Sequence, residues 1–338
     1  AMRFLTSYYS SIITSSKILT GSERMKQRPI SILVDALNHI GAEIEYLESE
    51  GYPPIKLKGK LITNNVVILP ANVSSQYISS LMMLGVSLED GLKINLSTKI
   101  TSLPYIKMTK ILIERIGGEV IIKSDKIIIK PFLAHNISDQ TVESDWSSAS
   151  YFYSLVALSD YSEITISTFF KKSIQGDSRI ENIYRKFGVE TSFRDNKIHL
   201  KKVNVELPEI ISINLQDNPD LAQTIIITCL GLGVDCDLQG LHTLKIKETD
   251  RLIALKKEIE KFDVDRVEVS DQSIILKNNS KLKSNVTVDT YNDHRMAMSF
   301  APLSLIIPII IRNPEVVSKS YSNFWNDLKS VGFHISKK

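Results

Sequence analysis

Apolar residues recur at three- and four-residue spacings in stretches that open on a small polar or acidic side chain, as in helices that bury one face and start at a cap. Lining up those openings gives Ser74, Ser147, Asp220 and Asp293, each 73 residues after the one before. The same step back from Ser74 reaches Ala1, which opens another Ser/Thr-dotted segment. A second helical pattern recurs independently and closes on glycine or a polar turn before a β-rich run: RPISILVDALNHIGAEIEY, PYIKMTKILIERIGGEVII, SRIENIYRKFGVETSF, ETDRLIALKKEIEKFDVDRVEV and NFWNDLKSVGFHIS. Three of these five runs continue through a polar turn, Ser124-Asp125, Asp195-Asn196 or Ser270-Asp271, into another β-type run, which predicts hairpins. Each repeat is therefore expected to be a βαβαββ unit. A unit of this length exceeds a solenoid repeat and must bury one face against its neighbours, so several copies form a domain.

Composition narrows the picture. At 338 residues the chain exceeds what one hydrophobic core usually serves, and two domains are expected. Hydrophobic residues at 43% and charged residues at 23% are those of an ordinary folded protein. The balance of 41 Lys and Arg against 38 Asp and Glu gives no electrostatic case for nucleic acid or a membrane surface, so any useful positive charge must be local. The longest apolar run, Phe300 to Ile311, is too short to span a bilayer and contains Pro302 and Pro308; buried strand and loop are expected there. The opening segment has no basic stretch leading into an apolar one, so no export signal is expected. Cys229 and Cys236 lie in an apolar stretch and read as buried free thiols, which fits a reducing, cytoplasmic setting.

The helix openings carry the candidate chemistry, because a helix N-terminus presents unpaired N–H groups and the positive end of its dipole to phosphate or carboxylate. Ser74, Ser75 and Gln76 fall in one first turn; Asp145, Ser147 and Ser148 fall in another. Hydroxyls there can cap the helix or hold an anion, and capping is the simpler use. Asn218 is expected to cap the next helix, with Pro219 at its first position and Asp220 in its first turn. Lys247, Glu248, Asp250 and Arg251 crowd one entrance, and Asp293, His294 and Arg295 another. Such mixed charge ordinarily makes a solvated face, yet the two clusters occupy matching places in a repeat whose other openings are hydroxyls. Six scattered histidines and two cysteines show no ligand spacing, so no metal is expected, and no glycine-rich nucleotide motif is present.

These segments resemble the 5-enolpyruvylshikimate-3-phosphate synthase family through essentially the whole chain. AMR at Ala1 to Arg3 is similar to the tail of the family's GTAMR loop, and ERMKQRPI to its R-M-x-x-R-P segment. VSSQ, DWSSASY, NPDLAQT, KETDR, YNDHRMAM and SKSYSNFW follow in the family's order. The resemblance implies an α/β (α+β) fold of two domains, each of three βαβαββ units. Residues 1–141 would be an N-terminal substrate domain with two repeats and its first missing, and 142–338 a C-terminal domain with three, so five of the usual six are expected. It also implies transfer of the enolpyruvyl group of phosphoenolpyruvate to the 5-hydroxyl of shikimate 3-phosphate, with release of phosphate and without a cofactor, by a monomer.

Carried over by position, the resemblance implies that Ser74, Ser75, Gln76, Ser102, Tyr105 and Lys247 hold shikimate 3-phosphate. Arg28, Gln76, Arg251, Arg295 and Lys319 would hold phosphoenolpyruvate. Asp220 would be the general base at the 5-hydroxyl, Glu248 the acid that protonates the methylene carbon, and Lys319 an aid to proton transfer onto the departing phosphate. Two polyanions need several cations, and arginine forks match both carboxylate and phosphate. Leu103, Lys107 and Thr243 depart from the family's usual Lys, acidic residue and Asn. The alternatives are a non-catalytic or ligand-binding fragment of such an enzyme, and a transferase of the same fold that acts on UDP-N-acetylglucosamine through a mobile-loop cysteine.

Overall fold

The computed structural model describes residues 1–13, 16–72, 74–133, 139–278 and 281–337. The chain forms two compact units, Ala1–Thr141 and Val142–Lys338. The first unit runs α1 (Met2–Ser11), β1 (Ser16–Leu19), α2 (Glu23–Lys26), α3 (Ser31–His39), β2 (Glu43–Tyr46) and β3 (Ile55–Lys58). It continues with β4 (Val66–Leu69), α4 (Ser75–Gly85), β5 (Leu92–Leu96), α5 (Leu103–Arg115), β6 (Val120–Ile122) and β7 (Lys126–Ile129). The second unit begins α6 (Trp146–Leu158), β8 (Glu163–Ser167), α7 (Ile180–Tyr184), β9 (Val189–Arg194) and β10 (Lys197–Lys202). Its middle part is β11 (Ile210–Asn214), α8 (Ala222–Leu232), β12 (Asp235–Gln239), α9 (Arg251–Glu260), β13 (Arg266–Val269) and β14 (Ser273–Lys277). Last come β15 (Val286–Val288), α10 (His294–Phe300), β16 (Ile309–Ile311) and α11 (Phe324–Ser330).

The sheets repeat with the elements. Orders β4-β5-β7-β6 and β11-β12-β14-β13 are the same topology, each with a parallel pair spanning a crossover helix and antiparallel pairing elsewhere. β1-β3-β2 and β8-β10-β9 are its antiparallel three-stranded versions, and β15-β16 is its parallel pair alone. The expected hairpins form at all three polar turns. Asp195 and Asn196 both take left-handed φ, 51° and 55°, as a two-residue turn that follows the strand twist requires.

Three expectations change. After α11, residues 331–337 form no strand, so the fifth copy lacks its β-run; β15-β16 has no third neighbour to pair a backbone there. The third copy's helix is reduced to α7 between two 3₁₀ turns, closed by Gly188 at φ 76°. Of the apolar run 300–311, only part is buried: Leu305 and Ile306 are exposed in a 3₁₀ turn ahead of β16. Among the described residues no helix is long and apolar enough to cross a membrane.

The repeat-opening helices pack on one another through buried hydroxyls. In the first unit Ser7 of α1 bonds Ser80 of α4, 73 residues on. In the second, Ser150 of α6 bonds Thr224 of α8 at 2.9 Å, Thr228 donates to Ser154 at 2.7 Å, and Thr224 reaches Ser299 of α10 at 3.4 Å. Small side chains let helix backbones approach, and each buried hydroxyl is satisfied by its counterpart one repeat away. The sheets close outward over apolar cores that include Leu33, Ile78 and Ile94 in one unit and Tyr184, Ile226 and Leu255 in the other.

Candidate active site

In the second unit the helix openings converge on Arg251, the first residue of α9. Asp250 caps that helix, accepting from Leu252 N and Ile253 N, which turns the Arg251 side chain inward. The side chain is 2% exposed, and its guanidinium is divided among three carboxylates. Nε donates to Asp293 Oδ2 at 2.6 Å, Nη1 to Asp220 Oδ1 at 2.7 Å and Nη2 to Glu248 Oε2 at 2.7 Å. Asp293, fully buried, also caps α10 by accepting from Arg295 N at 2.8 Å. Arg295 in turn reaches Asp220 Oδ2 at 3.4 Å and donates to the Tyr151 hydroxyl at 3.4 Å. Lys247 lies 3.4 Å from Asp220 Oδ1. Mixed charge that would ordinarily make a solvated face is enclosed here: partners from three successive repeats bury these groups together.

Asp220 is therefore ringed by cations. Burial alone would push its carboxyl up, but Lys247, Arg295 and Arg251 hold it well below the usual carboxylate range. Its side chain is 18% exposed, the open face of an otherwise enclosed group. Burial opposes charge on both arginines, and the surrounding carboxylates outweigh it, raising both pKa values. Lys319 is exposed and donates to the Asn292 carbonyl at 2.7 Å, which ties it to the turn just before α10.

The openings of α6 and α8 also differ from expectation. Asp145 caps α6, accepting from Ser147 N at 3.0 Å and Ser148 N at 3.2 Å. The Ser147 hydroxyl instead bonds Asp177. Asn218 makes no side-chain cap: its amide donates to Asp177 Oδ1 at 3.3 Å while Pro219 and Asp220 form a 3₁₀ turn ahead of α8. Asp177 is thus a buried carboxyl beside Asp220 and Arg295, raised by burial despite its hydrogen bonds. Sequence reading missed it, because it sits in the 3₁₀ turn ahead of α7, and missed Tyr151, because it lies inside α6.

In the first unit Ser74 caps α4, accepting from Gln76 N at 3.3 Å, with Ser75 half-buried and Gln76 exposed. Ser102 precedes α5 at a left-handed φ of 55° and makes no side-chain cap bond. Tyr105 is half-buried one turn into that helix. Arg28, together with Arg3, bears electrostatically on Tyr77, whose hydroxyl donates to Pro29 O at 2.6 Å. Arg3 was not among the expected site residues, although the AMR segment contains it. Cys229 lies in α8 and Cys236 in β12; both are free and buried, so neither is a loop nucleophile.

Residues 1–328 match the family model described as EPSP synthase (3-phosphoshikimate 1-carboxyvinyltransferase). A 3-phosphoshikimate 1-carboxyvinyltransferase of Bacteroides fragilis strain YCH46 is 44% identical over 338 residues, covering 99% of this chain and 82% of that protein. One from Colwellia psychrerythraea is 35% identical over 317 residues, covering 93% and 73%. Among solved structures, an EPSP synthase from Acinetobacter baumannii superposes with TM-score 0.74 at 20% identity, covering 99% of this chain and 77% of that one. The enolpyruvyl transferase NikO from Streptomyces tendae gives 0.68 at 11% identity over 97% and 74%, a likeness of fold alone.

Proposed function

The chain belongs to the EPSP synthase (3-phosphoshikimate 1-carboxyvinyltransferase) family, and from that premise we propose how its residues divide the work. The reaction moves the enolpyruvyl group of phosphoenolpyruvate to shikimate 3-phosphate and releases phosphate. The observation that carries the residue assignment is the single guanidinium of Arg251 shared by Asp220, Glu248 and Asp293. It gathers a base, an acid and two arginines within one buried network.

Asp220 takes the proton of the attacking 5-hydroxyl, and Glu248 gives one to the methylene carbon, forming a tetrahedral intermediate. Return of that proton and loss of phosphate complete the transfer, with Lys319 assisting at the leaving group. Arg28, Gln76, Arg251, Arg295 and Lys319 grip phosphoenolpyruvate. Ser74, Ser75, Gln76, Ser102, Tyr105 and Lys247 bind shikimate 3-phosphate. Ser102 supports this reading: its hydroxyl is free of capping duty, and its left-handed backbone is of the kind that collects at ligand-binding positions.

A carboxylate held as low as Asp220 is a weak base in the free protein. Incoming anions on Arg251 and Arg295 would take up part of the positive charge that depresses it, raising its basicity as the substrates arrive. The enzyme is proposed to work as a monomer in the cytoplasm, a setting supported by its buried, unpaired thiols.

Glu248→Gln tests the division of labour. The amide keeps an acceptor for Arg251 Nη2 and loses the proton to donate, so kcat for phosphate release should fall about a hundredfold, with phosphoenolpyruvate still bound in calorimetry. A kcat within about threefold of wild type would remove Glu248 from the acid role.

A further inference from the structure

We propose that Glu258 is a positioning residue for the phosphoenolpyruvate end of the site, acting through the turn that leads into α10. The proposal rests on the assignment of Arg295 and Lys319 as phosphoenolpyruvate ligands.

Glu258 lies seven residues after Arg251 on α9, two helical turns along, so both side chains leave the same face. Like Arg251 it is buried, with none of its side chain exposed. A carboxylate on the inner face of a helix is costly where a leucine would fill the same space, unless its hydrogen bonds have a use. All of those found run toward one segment or the lysine that serves it. The Tyr291 hydroxyl donates to Oε1 at 2.6 Å, and Asp289 N donates to Oε2 at 2.9 Å. Lys261 Nζ donates to Oε2 at 2.6 Å and also to Asp289 Oδ2 at 2.9 Å and Thr287 O at 3.1 Å.

The segment held this way is strained. Tyr291 and Asn292 are consecutive non-glycine residues with left-handed φ, 51° and 58°, a conformation that persists only when its surroundings impose it. Immediately beyond them Asp293 N donates to Thr290 O at 2.8 Å, and Asp293 caps α10 while accepting from Arg251. The Asn292 carbonyl, presented by that same backbone, receives the Lys319 ammonium. One face of α9 therefore grips residues 289–293 at two points: Glu258 sets the turn, and Arg251 sets the cap. Relaxation of the turn would move the Asn292 carbonyl and the start of α10 together, taking Lys319 and Arg295 out of register.

The test compares Glu258→Ala, Glu258→Gln and Tyr291→Phe in the full chain by steady-state kinetics alongside thermal melting. E258A is expected to raise KM for phosphoenolpyruvate and lower kcat, for a combined loss on the order of tenfold to a hundredfold, the scale of a small misplacement of binding groups. KM for shikimate 3-phosphate should stay within about twofold, since only the α10 end is disturbed. E258Q keeps an acceptor for Asp289 N and Lys261 while its amide can donate to the Tyr291 hydroxyl, and it should recover most of the loss, whereas Y291F, which removes the hydroxyl and leaves the ring, should show a smaller loss of the same kind. A lower Tm with kcat and both KM values unchanged in E258A would mean a purely structural role and overturn the proposal. If E258A does not fold, unchanged KM for phosphoenolpyruvate in both E258Q and Y291F overturns it. Lys319→Ala measured in parallel separates the two readings. An unchanged KM there sinks the ligand assignment and the inference with it; a raised KM there beside unaltered Glu258 and Tyr291 variants sinks the positioning role alone.

Discussion

Asp220→Ala is expected to lower kcat by about a thousandfold while both KM values change far less, since a positioned general base contributes that order of rate and little ground-state binding. The network supports the asymmetry. Asp220 occupies donors of Arg251 and Arg295 and lies beside Lys247, so its removal leaves three cations freer to hold anions. KM for phosphoenolpyruvate should therefore hold steady or fall. Asp220→Asn keeps the shape and one acceptor but accepts no proton, and should be nearly as slow. Phosphate release at saturating substrate is the readout, and a kcat within threefold of wild type would strip Asp220 of its role.

The pH profile extends the same argument. In the free protein Asp220 is held well below the usual carboxylate range, so it remains ionised across the neutral region. The acid limb assigned to it in kcat/KM, which reports the free enzyme, should lie below the usual carboxylate range. The limb in kcat, which reports the loaded enzyme, should lie higher, because bound anions share Arg251 and Arg295. Loss of that limb in D220N assigns it; coincident limbs for kcat and kcat/KM would argue against coupling between anion binding and basicity.

The repeat was legible because the same local requirements recur in every copy. Each opening helix needs a small or acidic residue at its start and an apolar inner face, and each hairpin needs polar residues able to take tight turns. The 73-residue step thus reappears as the Ser7–Ser80 bond between two opening helices. The strand expected after α11 failed because alternation alone does not supply a neighbour with free backbone groups. The site was legible in its residues and opaque in its arrangement. Ser147 and Asp145 are both acceptable caps, and only the fold shows that Asp145 takes the backbone while Ser147 turns to Asp177. The matching positions of the charged clusters marked them as candidates, but linear spacing shows only the neighbours along one segment. The decisive partners of Arg251, namely Asp220 and Asp293, lie 31 and 42 residues away, at the opening of the same repeat and at the opening of the next.

Arg251→Met should be the most destabilising single change in the second unit. Methionine restores most of the volume without charge and leaves Asp220, Glu248 and Asp293 without the guanidinium that joins them. Removing one partner of a buried ionic network costs about 3–5 kcal/mol, because the remaining charges stay desolvated. The deficit should depend on pH with a definite sign. In the wild type the depressed pKa of Asp220 adds stability that is present above the unfolded carboxylate value, about 3.9, and is lost as pH falls through the lower folded value. In the variant Asp220 keeps Lys247 and Arg295 but loses Arg251, so its carboxyl is held down less firmly and that pH-dependent stability shrinks. The deficit should therefore be full at neutral pH and shrink as pH falls through the carboxylate range in urea unfolding. Arg251→Lys should fall between the two, since one ammonium keeps the charge but cannot span three carboxylates as the planar fork does. A deficit below about 1 kcal/mol for R251M, no more than an exposed ion pair contributes, would mean that solvent already carries these charges. That result would also remove the reason for reading the cluster as a desolvated site, since an arginine that stabilises nothing in the free protein has no stored attraction to transfer to an incoming anion.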